Sequence, residues 1–236
     1  MGLLSRFARR REETNPRAIG LRACLEGLRE RGYTAHRILD VGAAEGHWAL
    51  AALEVFPQAS LFLIEALEER RTVLERLRSQ HPNLDFEITG AGPRNETRQM
   101  GITTALDASS FAYPGTAGVR EVPVRTLDSL LEGGRFQQPD FLKLDVQGYE
   151  LQVLEGAPRV LAGSSLVLLE LNFFRFYAGM PLLHDAINYM VERGFRPYEV
   201  VDVLRRPLDG AMGQCDMLFC REGHALLADN AWQKFD

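Results

Sequence analysis

Three apolar runs separated by two stretches of helical periodicity limit what this chain can fold into more than any other feature. Arg37-Ile-Leu-Asp-Val41, Ser60 to Glu65 with its core Leu61-Phe-Leu-Ile64, and Leu84 to Ile88 read as strands. Between them, Gly46 to Phe56 and a stretch carrying Leu67, Val73, Leu74 and Leu77 read as helices, stopped by Pro57 and Pro82. Leu61 to Ile64 has no polar interruption, so this strand is covered on both faces, as strands of parallel sheets are. A β-α-β-α-β series of this kind predicts an α/β domain whose parallel sheet carries helices on both faces.

The 236 residues contain no internal repeat and no low-complexity linker, and read as one domain over 1–236. Leu21, Leu25 and Leu28 give a leading helix over 15–32, closed by Gly32. The start, 1–14, is expected to be flexible. Its arginines at 6, 9, 10 and 11 are followed by Glu12, Glu13 and Thr14 rather than by the apolar stretch of a signal peptide. From Thr89 to Gly118 the chain is rich in Gly, Ser, Thr and Asn and predicts short strands with loops around Ser109 and Ser110. Beyond it come Val122-Pro-Val124, a short helix from Thr126, a strand Phe141 to Asp145, and one helix from Tyr149 to about Leu161. A strand Leu166 to Leu171 and a helix carrying Leu183, Ile187 and Met190 complete that series, the helix ending at Gly194. The last strands, near Tyr198 to Leu204 and Cys215 to Cys220, have no helix between them and should pair as an antiparallel hairpin.

Composition removes several function classes. At 46% hydrophobic and net charge -5, the chain is neither disordered as a whole nor equipped with a global basic field for nucleic acid. Cys24, Cys215 and Cys220 form no C-x-x-C pair and read as reduced, buried thiols, which favours a cytoplasmic address. No apolar run is long enough to span a bilayer, so no transmembrane segment is expected.

Asp40-Val-Gly-Ala-Ala-Glu-Gly46 follows the first strand. Gly42 and Gly46 let the backbone pass close to a ligand, as only residues without a side chain can. The spacing is G-x-x-x-G with Ala43 and Ala44 between, whereas dinucleotide sites use G-x-G-x-x-G, and Glu45 would meet a pyrophosphate with like charge. A ligand carrying an amino acid and a cationic sulfonium suits Asp40 and Glu45 better. As packing alone, the glycines would serve only a tight strand-to-helix turn. Glu65 ends the second strand, where an acid can accept hydrogen bonds from both ribose hydroxyls, and Ala66 follows it. That place is common to nicotinamide and S-adenosylmethionine folds; a solvated strand-end carboxylate is the plain alternative.

The most specific feature is Phe141-Leu-Lys-Leu-Asp-Val-Gln-Gly-Tyr-Glu150. Lys143 and Asp145 lie two apart on a strand and share a face. Charges inside an apolar strand are costly unless they pair or point into a cleft. Strand C-termini line the ligand crevice of open α/β sheets, which places Asp145 there, with Glu170 and Asn172 on the same rim. His184, beyond Pro181, is the histidine best placed to take a proton near pH 7; His36, His47, His81 and His224 offer weaker cases. Phe173, Phe174, Phe176 and Tyr177 follow in a loop, as pocket lining or as plain core.

These residues resemble the FkbM family of S-adenosylmethionine-dependent methyltransferases. The likeness rests on Asp40-Val-Gly-Ala43 with Gly46, Thr126-Leu-Asp128, and the pattern K-x-D-x-E/Q-G-x-E met at Lys143, Asp145, Gln147, Gly148 and Glu150. Leu154, Gly156 and Ala157, then Glu170, and Gly210 to Phe219 continue it, so that it covers about 37–221. Two departures stand out: Ala44 where the family turn carries Asn, and Ala66 where Pro usually follows the acid. The resemblance implies a Rossmann-like methyltransferase fold with a mostly parallel seven-stranded sheet, a catalytic core over 37–221, and S-adenosyl-L-methionine as cofactor. It places Asp40, Gly42, Ala43, Glu45, Gly46, Glu65 and Ala66 at the cofactor. It implies methyl transfer to an oxygen of a small-molecule or glycan acceptor, with Asp145 as base, His184 second, and Lys143 holding the carboxylate or the acceptor. A divalent metal at Asp145 with Glu170 or Asn172 is left open, as is a homo-oligomer; oxygen ligands alone do not establish the metal. The rival readings are an NAD-dependent oxidoreductase, which the G-x-x-x-G spacing and the closing hairpin disfavour, and a non-catalytic binding or assembly protein, which Ala44 and Ala66 keep open.

Overall fold

The computed structural model describes residues 20–113, 115–229 and 231. The flexible start expected over 1–14, and residues 15–19 of the leading helix, lie outside the described residues. That helix, α1 (Leu21–Glu30), buries Cys24, Leu25 and Leu28. The first half then runs β1 (Arg37–Val41), α2 (His47–Val55), β2 (Ser60–Glu65), a 3-10 turn (Glu68–Arg70), α3 (Arg71–Gln80) and β3 (Leu84–Ile88). Next come β4 (Gly90–Ala91), β5 (Glu96–Gly101), β6 (Val119–Arg125), α4 (Leu127–Glu132), β7 (Phe141–Leu144), α5 (Glu150–Glu155) and α6 (Pro158–Gly163). The chain continues through β8 (Leu166–Asn172), α7 (Leu183–Val191), β9 (Phe195–Arg205) and β10 (Met212–Arg221).

Seven strands form one sheet in the order β3-β2-β1-β7-β8-β10-β9. The pairs from β3 to β8 are parallel, and β10 enters antiparallel between β8 and β9. This is the Rossmann-like arrangement with its closing hairpin, and helices cover both faces. On one face Ile38, Leu61, Leu63, Phe141, Leu166 and Leu168 pack with Leu25 and Leu28 of α1, Ala49 and Ala52 of α2, and Leu74 and Leu77 of α3. On the other, Leu39, Val41, Leu142, Leu144, Val167 and Leu169 meet Leu127 of α4, Val153 and Leu154 of α5, Val160 of α6, and Met190 of α7. Full burial of each such side chain contributes about 1.5–3 kcal/mol, which makes this double-sided core the main source of stability.

One sequence expectation needs correction. The single helix from Tyr149 to about Leu161 is two helices, because Pro158 cannot donate the amide that would continue the first. The break also suits Gly156, where a Cβ would run into the carbonyl oxygen of Gly92. The Asp128 carboxylate then accepts the amides of Arg159 and Val160 at the start of α6. The stretch after β3 contains the expected short strands, which form a separate three-stranded sheet, β4-β6-β5, with β6 longer than Val122 to Val124. Val122 and Val124 are its buried positions while Glu121, Pro123 and Arg125 face out, the alternation of a sheet covered on one side only.

Candidate active site

The β1–α2 turn is built by backbone. Gly42 and Gly46 adopt φ +78 and +77, which a residue with a side chain rarely takes. At Gly42 a Cβ would run into the carbonyl oxygen of Asp145, so the turn and the end of β7 touch backbone to backbone. Ile64 O accepts the amides of Gly42 (2.9 Å) and Ala43 (3.2 Å) and holds the turn to β2. Ala44 sits at φ 49, a left-handed position that Asn tolerates far better than Ala. The family's usual Asn thus has a conformational reason there.

Glu65 is buried at the tip of β2. Its Oε2 accepts the Ala44 amide at 2.7 Å and its Oε1 the Leu67 amide at 2.9 Å. Burial pushes its pKa up, against those two amides and the positive charges of Arg70 and Lys143. Ala66 is half-buried beside it, against Leu67, Met100 and Ile102. Glu45 lies on the outside of the turn, paired with Arg70 of the 3-10 turn; Arg70 also reaches Asp107 at 2.5 Å. One largely buried guanidinium therefore ties the glycine turn to the loop after β5, a link with no sequence signal because its three members are far apart.

The structure brings Lys143 to Asp40 as cross-strand neighbours of β7 and β1. Its Nζ lies 2.9 Å from Asp40 Oδ1, 3.7 Å from Asp145 Oδ2 and 3.1 Å from the Gly42 carbonyl oxygen. Burial works against the ammonium, but Asp40 and Asp145 outweigh it and hold the Lys143 pKa above its ordinary value. Asp40 is fully buried, and that burial pushes its own pKa up against the opposing pull of Lys143. Asp40 and Lys143 thus support the turn from beneath, while Asp145 is the partly exposed member of the three.

Asp145 and Glu170 are joined by Gln147, whose Nε2 is 2.7 Å from an oxygen of each. Glu170 faces Asp216 across the β8–β10 ladder, and Asp216 faces Asp202 of β9, so one row of acids runs along the rim. Asn172 Oδ1 accepts from Gln214 at 3.1 Å. Glu150, part of the motif read from sequence, is buried and works on the turn itself. Its Oε1 accepts the amides of Val146 (3.0 Å) and Gly148 (3.2 Å), and burial raises its pKa to about 7.

His184 stands apart from this cluster. Its side chain is 65% exposed on the first turn of α7, 3.3 Å from its neighbour Asp185. Of the aromatic loop, Phe173 and Phe176 are exposed, Phe174 lies 3.8 Å beneath the Arg206 guanidinium, and Tyr177 stacks on Tyr113 at 4.2 Å. The loops after β5 and β8 therefore meet above the β7–α5 turn, where Ser110 Oγ donates to the Gln147 carbonyl at 2.9 Å. Among the described residues, no group of three or more His, Cys, Asp or Glu side chains is arranged to hold a metal ion. Nor is any helix there long and apolar enough to cross a membrane.

Comparison with known proteins settles the family. The model of the methyltransferase FkbM domain matches residues 40–197, from Asp40 of β1 into β9. The chain belongs to the FkbM methyltransferase family. No curated protein matches it by sequence. A solved FkbM methyltransferase from Methylobacillus flagellatus KT is similar in fold, with 16% identity and a TM-score of 0.53, over 78% of this chain and 43% of that one. The chain thus spans less than half the length of that relative. Looser likenesses run to a precorrin-6y C5,15-methyltransferase from Geobacter metallireducens GS-15 (14% identity, 88% and 93% of the two chains, TM-score 0.48). Another is an O-methyltransferase family protein from Burkholderia thailandensis (13%, 85% and 55%, 0.47). Family membership implies S-adenosylmethionine as the cofactor, and the donor set fits it. The turn is backbone at Gly42 and Gly46, Glu65 lies at the tip of β2 with one oxygen on the Ala44 amide of that turn, and Asp145, next to Gly42, is a partly exposed acid.

Proposed function

We propose that this FkbM-family chain transfers the methyl group of S-adenosylmethionine to a hydroxyl oxygen of a sugar or another small hydroxylated metabolite. The observation that carries this reading is the backbone contact between Gly42 and Asp145, which puts the residue that bears a partly exposed carboxylate directly beside the glycine turn. The cofactor, when bound, supplies a methyl group activated by a positively charged sulfur. Gly42, Ala43, Gly46 and Glu65 hold it, with Ala66 and Glu45 at its edge and Asp40 setting the turn from below. Asp145 accepts the hydroxyl proton as oxygen takes up the methyl, and a carboxylate so placed contributes about 10²–10⁴-fold to such a step. Lys143 Nζ, 3.7 Å from Asp145 Oδ2, holds the carboxylate in place at the end of β7. Glu170 and Asn172 are buried and held by Gln147 and Gln214.

His184, exposed and paired with Asp185, has none of these contacts. In this reading His184→Ala retains activity while Asp145→Asn loses it. The test is S-adenosylhomocysteine formation over a panel of sugars, glycosides and hydroxylated metabolites, comparing the native chain with Asp145→Asn. Turnover with one acceptor class, lost in Asp145→Asn, supports the proposal. Turnover only on amine or thiol acceptors would overturn it.

A further inference from the structure

Gln147 holds φ +57, a left-handed conformation that costs a residue with a side chain about 1–2 kcal/mol. Such strain persists only where the surroundings over-determine it. Here both ends of the residue are fixed. Its carbonyl accepts from Ser110 Oγ at 2.9 Å, and its Nε2 lies 2.7 Å from Asp145 Oδ1 and 2.7 Å from Glu170 Oε2. A primary amide has two N–H donors, and each goes to a different carboxylate. Two carboxylates this near one atom repel unless a donor or a cation stands between them.

We infer that Gln147 is a positioning residue that takes the place of a bridging cation between Asp145 and Glu170. It fixes one oxygen of each carboxylate at the ends of β7 and β8. This rests on the reading of Asp145 as base, but it makes a claim about ion binding that does not depend on turnover. Where the amide nitrogen stands, a divalent ion would otherwise find two carboxylate oxygens already converging.

Magnesium and calcium are titrated calorimetrically into the full native chain, Gln147→Glu and Gln147→Gly, with S-adenosylhomocysteine titrated into each. Gln147→Glu supplies a third carboxylate. Gln147→Gly removes the amide and relieves the left-handed backbone, so it keeps a folded protein in the test. The expected order of divalent affinity is Gln147→Glu, then Gln147→Gly, then the native chain, with at least about tenfold between first and last. Adding Asp145→Asn to Gln147→Glu abolishes the gain, and S-adenosylhomocysteine affinity in the two single Gln147 variants stays within about twofold of the native chain. A native chain that binds either ion as tightly as Gln147→Glu, or two variants that gain nothing, overturns the inference. Loss of S-adenosylhomocysteine binding by the native chain would instead count against the methyltransferase reading and leave the ion titration to be read on its own.

Discussion

The two halves of the main sheet build their parts of the site by different means. In the half around β1 and β2, the glycine turn is shaped chiefly by positive φ angles and backbone amides, and Glu65 binds amides within two residues of itself and at the turn it faces. In the half around β7, β8 and β10, the site is made of side chains that meet from afar: Lys143 with Asp40, Gln147 with Glu170, Ser110 with Gln147, Tyr113 with Tyr177. A turn held by backbone tolerates side-chain changes that respect its φ angles. A cluster held by long-range pairs fails when one partner goes, and recovers when both go.

The largest expected effect tests that contrast at the buried ion pair. Asp40→Asn and Lys143→Met should each cost about 3–5 kcal/mol, because either leaves a buried charge uncompensated. The double variant should cost clearly less than the sum in denaturant unfolding; additive costs would mean the pair is not coupled. Glu150 comes next. Its raised pKa means the native state keeps a proton that the unfolded chain has already released, so stability falls as pH rises from about 4.5 to about 7. Gln offers the same acceptor oxygen without the charge. Glu150→Gln should therefore flatten that pH dependence and gain up to about 3 kcal/mol on the native chain at pH 8. An unchanged pH profile would show that the carboxyl ionises in the fold at its ordinary pKa. The smallest effect belongs to the backbone-built half: Ala44→Gly should stabilise by about 0.5–1 kcal/mol by relieving φ 49, read as a rise in Tm.

The same contrast explains what was legible in the sequence. Apolar runs and helical spacing name the seven strands and their order of appearance, because burial on both faces leaves a local signature in Leu61 to Ile64 and Leu166 to Leu171. The glycine turn and Glu65 are legible for the same reason: spacing alone states their geometry. Lys143 and Asp145 are readable as charges needing a partner, but the partner is Asp40, about a hundred residues earlier, and nothing local names it. The roles of Gln147 and Arg70 were invisible, since each acts by joining groups the chain brings together only when folded. The break at Pro158 was readable in principle; the continuous apolar spacing from Tyr149 to Leu161 hid it.

The central claim, that the turn at Gly42 and the acid at Glu65 form a cofactor site, is tested most directly by calorimetric titration of S-adenosylmethionine and S-adenosylhomocysteine. The native chain and Glu65→Gln are compared, with His184→Ala as control. The account predicts saturable binding to the native chain, unchanged in His184→Ala, and weakened about tenfold or more in Glu65→Gln through loss of a charge-assisted hydrogen bond. A folded native chain that binds neither compound, or a Glu65→Gln variant that binds both as tightly as the native chain, would contradict it.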